Sequence, residues 1–412
     1  LDLSENAAQP MAGVGGRYHI SYNGEIYNFK NLYNKLKVNY KVNSSSDTSI
    51  IAPLYDAYGT DMFNKLNGMF AFALWDKEEK ILTLARDHIG IKPLYYIENY
   101  KGGFLFASEL KALISAAPEL DKTLDNTAII DYVTYLWSPG ERTMLQTVKK
   151  LLPGHYLQIQ LIDNGSIQVL NKQFYTPPLV KNTNPETPET LRKKLFDTVE
   201  KQCISDVPLG AFLSGGVDSS AVVAGMVQKD TKPKNTYCVK FTGKDSQNEG
   251  FNDDVKHARQ VAKYLDVPLT EIESDASLLD NLPHLINILE EPLADPAPLY
   301  VQKISAAARA DGIKVLMSGT GGDDVFAGYR RHQAAILRDK LGAWSQPIGY
   351  GLSIGHILGG SFGRRAHKLS YMLKSNKNDF LHRAFEFTPC ERTQNVLSQS
   401  IIYNYNQKQQ NT

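Results

Sequence analysis

Residues 207–220 constrain the fold more than any other stretch. The apolar run 207–213 has the length and composition of a buried strand, and it leads straight into Ser214-Gly215-Gly216-Val217-Asp218-Ser219-Ser220 and a helix over 219–228. A strand, a glycine turn and a helix in that order put the turn at the carboxyl end of a strand, where open α/β sheets bind ligands. The two glycines permit positive φ and close backbone approach, so amide N–H groups can converge on an anion. Ser214, Ser219 and Ser220 add hydroxyl donors, and the helix adds its positive N-terminus. Asp218 would repel a phosphate unless a cation lay between them, and Mg2+ suits that position. The turn lacks the Gly-Lys-Ser/Thr ending of a Walker loop. A tight strand-to-helix turn with a Ser/Asp cap would use the same residues without any ligand.

A second element of the same kind follows about 100 residues later. The strand predicted over 313–317 runs into Ser318-Gly319-Thr320-Gly321-Gly322-Asp323-Asp324. If the two strands are neighbours, Asp218 and Asp323 can share one magnesium–pyrophosphate; a capped, glycine-rich turn is the plain alternative. Between the loops, strands over 237–241 and 269–272 alternate with helices over 254–265, 278–289 and 301–310, after a first helix over 191–203. Val255, Ala258, Val261, Ala262 and Leu265 share one helical face. Such alternation predicts a parallel sheet covered on both sides. Glu290-Glu291-Pro292-Leu293-Ala294-Asp295-Pro296 lies between the two loops in sequence. It reads equally as carboxylates aimed at a substrate amine or metal and as an acidic helix end broken by prolines.

The front of the chain follows a different pattern. Apolar runs at 68–75 and 81–86 flank a polar turn, and 93–97 and 103–107 repeat that hairpin. Residues 17–26 alternate imperfectly, and helices are expected near 47–58 and 127–136, so residues 1–175 form an α+β domain. Residues 176–189 carry four prolines and no apolar periodicity, which marks a linker. Residues 190–412 then form the α/β domain, largely helical near its end and finishing in a polar tail at 404–412. Two domains suit 412 residues.

Composition narrows the function classes. A net charge of +1, without basic clusters interleaved with aromatics, argues against nucleic acid as a partner. The glycine-rich stretch 341–362 contains Trp344, Gln346, Pro347 and His356 and is not a membrane span. Cys203, Cys238 and Cys390 lack metal-ligand or disulfide spacing, so reduced thiols in a cytoplasmic protein are expected. The oligomeric state is open, a homodimer included.

Both loops resemble known enzymes. The first is similar to the SGGxDS loop of PP-loop ATP pyrophosphatases, which split ATP to AMP and pyrophosphate while adenylating a substrate oxygen. The second resembles the SGxGGDE-type loop of asparagine synthetases, and Glu290-Glu291-Pro292 is familiar from the same enzymes. By that resemblance Ser318 and Gly319 contact ATP, and Leu213 and Val239 line the nucleotide pocket. Thr320 stands where the family often has an acid implicated in forming the acyl-adenylate, and Asp324 replaces a usual Glu.

In the front domain, Tyr22-Asn23-Gly24-Glu25-Ile26-Tyr27-Asn28 resembles class II glutamine amidotransferases. So do Arg86-Asp87-His88-Ile89-Gly90-Ile91-Lys92-Pro93, Phe106-Ala107-Ser108-Glu109-Leu110 and Pro153-Gly154-His155-Tyr156. The resemblance implies an Ntn-type layered glutaminase. The Asn23 side chain and Gly24 N–H would form an oxyanion hole, and Glu25 and Asp47 would hold the ammonium of bound glutamine. Arg86 and Asp87 read as a structural ion pair.

Enzymes of this class use an N-terminal cysteine whose α-amine acts as base. Residue 1 here is leucine, and no counterpart of the family's C-terminal catalytic lysine segment is visible, so a fragment of a longer enzyme is expected. The implied activity is ATP- and Mg2+-dependent amidation of aspartate to asparagine through an acyl-adenylate, with ammonia from glutamine. Another carboxylate acceptor, such as a sugar acid, and a non-catalytic glutamine- or nucleotide-binding remnant are the alternatives.

Overall fold

The computed structural model describes residues 7–40, 42, 46–162, 166–178, 186–242, 251–295, 297–353, 360–376, 379–387, 397 and 401. Cys390, the tail at 404–412 and the middle of the predicted linker lie outside these residues.

The front domain has four layers. Strands β1 (Met11–Gly13), β2 (Tyr18–Ile26), β3 (Gly68–Asp76), β4 (Ile81–Arg86), β8 (His155–Leu161) and β9 (Ile167–Gln173) form one antiparallel sheet in that order. A second sheet has the order β6 (Gly103–Ala107), β5 (Tyr95–Tyr100), β7 (Lys149–Lys150). Along β3, Phe70, Phe72 and Leu74 face one way and Ala71 and Ala73 the other. The phenylalanine side packs on α1 (Phe29–Leu36) and α2 (Ile51–Tyr58) through Leu32, Leu36, Ile51 and Leu54. The alanine side meets Tyr96, Phe104 and Phe106 of the second sheet. That sheet's outer face packs on α3 (Leu110–Ala116), followed in the chain by α4 (Asn126–Tyr135). Burial on both faces is why β3 reads as an apolar run without polar alternation.

The second domain opens with α5 (Pro188–Gln202), which begins inside the predicted linker because Pro188 suits a first helical turn and Thr187 caps it. Four parallel strands follow: β10 (Leu209–Phe212), β11 (Asn235–Phe241), β12 (Leu269–Ser274) and β13 (Val315–Met317), in the spatial order β12-β11-β10-β13. α5, α6 (Val217–Gln228) and α7 (Phe251–Tyr264) cover one face through Val199, Val223, Met226, Val255 and Ala258. After α8 (Leu282–Leu289), α9 (Ala297–Ala310) covers the other face with Ile304 and Ala308 against Tyr237. The one-turn α10 (Gly322–Val325) leads to α11 (Arg330–Leu341), α12 (Ser345–Leu352), α13 (Gly360–Leu373) and α14 (Asp379–Phe385). Ala334, Met372, Leu373 and Phe380 form the core of that helical end. A layered α+β domain and an α/β parallel-sheet domain are thus both present, as the motifs imply.

Candidate functional site

The strand order β12-β11-β10-β13 reverses direction between β10 and β13, which pair directly with Leu209, Gly210 and Ala211 beside Val315, Leu316 and Met317. A reversal of this kind opens a crevice at the carboxyl ends of the strands. Both glycine-rich loops leave those ends, so residues a hundred positions apart share one cavity of about 650 Å3. That size is within the range of about 300–1,000 Å3 usual for small-molecule sites.

Phe212, Ser214, Gly216, Val217, Asp218 and Ser219 line the cavity from the first loop, Ser318, Gly319, Thr320 and Asp323 from the second, and Val301 from α9. Two carboxylates therefore face it, and no lysine, arginine or histidine does among the described residues. Such a cavity accepts a triphosphate only together with a cation. One or two carboxylates plus phosphate oxygens is the donor set Mg2+ favours, so the residues fit the metal.

The first loop is held in shape by hydroxyl contacts. Ser214 Oγ and Ser219 Oγ lie 3.0 Å apart, Gly216 N donates to Ser214 Oγ at 3.4 Å, and Ser219 Oγ donates to Gly216 O at 3.2 Å. Gly215 has φ +84°, and a Cβ there would lie 2.5 Å from Ala258 N of α7. In the second loop Ser318 Oγ and Thr320 Oγ1 are 2.6 Å apart, and Thr320 N donates to Ser318 Oγ at 3.1 Å. Gly319 presses on the first loop, since a Cβ would sit 2.5 Å from Ser219 N and 2.7 Å from Asp218 C. These glycines let two backbones nest, a role the motif reading did not assign.

Other named residues fall elsewhere. Leu213 is fully buried in the core below the loop, its N–H donating to Tyr237 O at 2.8 Å, and Val239 packs in the layer with Tyr237 and Ile304. Neither side chain lines the cavity. Ser220 Oγ is buried with no hydrogen-bond partner among the described residues. Asp324 pairs with Arg331 at 3.1 Å, outside the cavity lining. Glu290 and Glu291 are absent from the lining too; both reach into the front domain. Val301 carries no sequence signal that separates it from any other apolar helix residue.

In the front domain Asn23, Gly24 and Glu25 lie within β2, opposite Ala71, Phe70 and Met69, not in a hairpin turn. A Cβ on Gly24 would lie 2.8 Å from Phe70 Cα, so glycine is needed for the strands to meet. Asp47 is drawn to this strand: its Oδ2 accepts from Tyr22 Oη at 2.7 Å and from Ile26 N at 2.8 Å. Burial first, and then the Asp47 charge, raise the Glu25 carboxyl above its ordinary range. Asn23 Nδ2 lies 3.5 Å from Ser108 Oγ, which brings the Phe106–Leu110 motif to the same place. Tyr22, the partly buried partner of Asp47, was not singled out by pattern because tyrosine is ordinary in a strand.

Arg86 and Asp87 are structural, though each binds backbone rather than the other. Arg86 donates to the carbonyls of Lys92, Leu151 and Gly90 at 2.7, 2.6 and 2.9 Å. Asp87, fully buried, accepts from the N–H groups of Phe70, Ile89, Ile91 and Lys92. Cys203 and Cys238 are buried free thiols whose pKa burial raises, Cys238 to about 11. No helix of the described residues is long and apolar enough to cross a membrane.

Comparison with known proteins bears on both halves. The glutamine amidotransferase domain profile matches residues 1–175, and the asparagine synthase profile matches residues 190–410. Asparagine synthetase [glutamine-hydrolyzing] 1 of Bacillus subtilis is 33% identical over 340 residues, covering 82% of this chain and 51% of that protein. Amidase chyE of Penicillium rubens is 30% identical, over 84% of this chain and 52% of its own length. The putative asparagine synthetase [glutamine-hydrolyzing] 2 of Methanocaldococcus jannaschii is 30% identical, over 87% of this chain and 72% of its own. The chain thus spans about half the length of the first two relatives and more of the third. With the asparagine synthase profile over more than half of its residues and the amidotransferase profile over the remainder's core, this chain belongs to the glutamine-hydrolysing asparagine synthetase family.

Proposed function

We propose that the whole protein makes L-asparagine from aspartate, ATP and glutamine. The observation that carries this is the cavity at the β10–β13 switch point, which two glycine-rich loops line with serine and threonine residues and two aspartates. In this reading Ser214, Gly216 and Ser219, which line the cavity, cradle the departing pyrophosphate, and Ser318 and Gly319 contact ATP; Gly215 shapes the turn, and Leu213, Ser220 and Val239 support the site from outside its lining. Asp218 and Asp323 would hold Mg2+, which when bound offsets the negative charge of the phosphates. The β-carboxylate of aspartate attacks the α-phosphorus and pyrophosphate leaves. Ammonia then attacks the acyl carbon of β-aspartyl-AMP, AMP departs with the electron pair of the broken C–O bond, and the surplus proton passes to solvent. Adenylation makes a good leaving group of a poor one.

In the front domain Asn23 Nδ2 and the Gly24 N–H are assigned to the oxyanion of glutamine hydrolysis, and Glu25 and Asp47 to its ammonium. The Asp47 carboxylate beside Glu25 suits that cation.

Thr320 favours a second reading with a different carboxylate acceptor, because a hydroxyl replaces the family's acid beside Ser318. The two separate in one assay on the full-length protein. With ATP, Mg2+ and ammonium, pyrophosphate release is expected to require aspartate and to vanish in Asp218→Asn. Release supported by a uronic acid and not by aspartate would overturn the asparagine assignment.

A further inference from the structure

The two domains meet through a charged turn that neither site uses. Glu290 ends α8 in the left-handed region, φ +67°, a conformation that costs a residue with a side chain and persists where surroundings impose it. Its carboxylate is nearly buried, accepts from the Leu110 N–H at the start of α3, and pairs with Lys111 at 3.2 Å. Next to it, Glu291 Oε2 accepts from Tyr95 Oη at 3.2 Å and lies 3.5 Å from Lys150 Nζ, which also donates to Ser138 O at 2.7 Å. Glu291 Oε1 is buried with no hydrogen-bond partner among the described residues. Ala294 N continues the contact, donating to Leu136 O at 3.0 Å at the end of α4.

The same segment leads into the cavity wall. Asp295 accepts from Ala297 N at 2.8 Å at the start of α9, and Val301, one turn further on, lines the cavity. Ten residues thus join a charge cluster on the front domain to the wall of the proposed acyl-adenylate site. A largely enclosed carboxylate pair is a poor source of stability, while its partners here stand at fixed positions on the front domain. We propose that Glu290 and Glu291 are positioning residues that hold the two domains in register, so that ammonia freed from glutamine is used in amide formation rather than lost. This rests on the reading of the protein as a glutamine-fed amide ligase.

The test compares Glu291→Ala, Glu291→Gln and Tyr95→Phe in the full-length protein. Glutamate and pyrophosphate are counted with glutamine, ATP, Mg2+ and aspartate, and pyrophosphate alone is counted with ammonium chloride. Ammonium-driven release should stay within about twofold of wild type, while glutamate formed per pyrophosphate rises about tenfold in Glu291→Ala, part of the ~100-fold that a 1 Å misplacement can cost. Glu291→Gln and Tyr95→Phe should show the same change in smaller degree, and being nearly isosteric they carry the test if the alanine variant does not fold. A merely structural role lowers both activities together and leaves the ratio fixed. An unchanged ratio in the folded variants, or ammonium-driven release falling in step with glutamine-driven release, overturns the proposal. Wild type without aspartate-dependent pyrophosphate release under ammonium would refute the functional reading instead, before any variant is compared.

Discussion

Gly319→Ala should disable the synthetase half while leaving the glutaminase half intact. The added methyl would stand 2.5 Å from Ser219 N, 2.7 Å from Asp218 C and 2.9 Å from Ser219 Cα. All three are backbone atoms at the start of α6, so no side chain can turn away. Ordinary carbon contacts are at about 3.5–4.0 Å, so the second loop must withdraw from the first by roughly 1 Å. Overpacking of this kind costs about 1–3 kcal/mol. A displacement of that size at a reacting centre costs up to ~100-fold in rate. Ammonium-driven pyrophosphate release should therefore fall by about 100-fold in kcat/KM, with a modest drop in the melting temperature. Gly321→Asn is the control. Gly321 has φ +94°, and a Cβ added there would meet nothing within 4 Å, so Asn adds little beyond a tolerable backbone strain and should keep most of the activity. Gly319→Ala with wild-type pyrophosphate release would refute the nested-loop account.

Two further predictions concern the front domain. Gly24→Ala should part β2 from β3 at Phe70 and lower glutamine hydrolysis by about 100-fold or more, the scale of a lost oxyanion donor, while ammonium-driven release persists; retained glutaminase activity would show that the close approach is dispensable. His88 lies edge-on to Phe174 and Tyr175, with ring centroids 5.4 and 4.7 Å away, and burial holds its pKa below the ordinary 6.5 despite the opposing charge of Asp87. The unfolded chain then takes up this proton first as pH falls, so stability is lost from pH 6.5 down to the folded-state pKa and changes no further below it. Melting curves of wild type and His88→Phe between pH 7 and 5 should diverge in that window, and parallel curves would remove His88 as the cause.

The parts of the fold legible in the sequence are those whose signals are local. The β3–β4 hairpin, the strand before each glycine loop and α4 all announce themselves by short apolar runs, turns or caps, Asp125 accepting from the N–H groups of Thr127 and Ala128 at the head of α4. Helices α1 and α3 carry no side-chain cap bond, and their periodicity over 8 and 7 residues is too short to stand out. The two-residue strand β7 has no periodicity at all, although its Lys150 belongs to the domain contact.

The site was legible to the extent that loops carry chemistry in consecutive residues. Ser214 to Ser220 and Ser318 to Asp323 could be read as anion-binding turns, but their meeting depends on β13 crossing back to lie beside β10. The acidic turn shows the limit most clearly. Glu290 and Glu291 looked equally suited to a metal or to a helix end, because their partners are 180 and 196 residues away at Leu110 and Tyr95. A carboxylate's surroundings decide what it can do: among the described residues no cationic side chain lines the cavity that Asp218 and Asp323 face, whereas Glu291 lies beside Lys150. Which strands and helices arrive beside an acid thus separates Asp218 and Asp323, at a cavity, from Glu290 and Glu291, at the contact between domains.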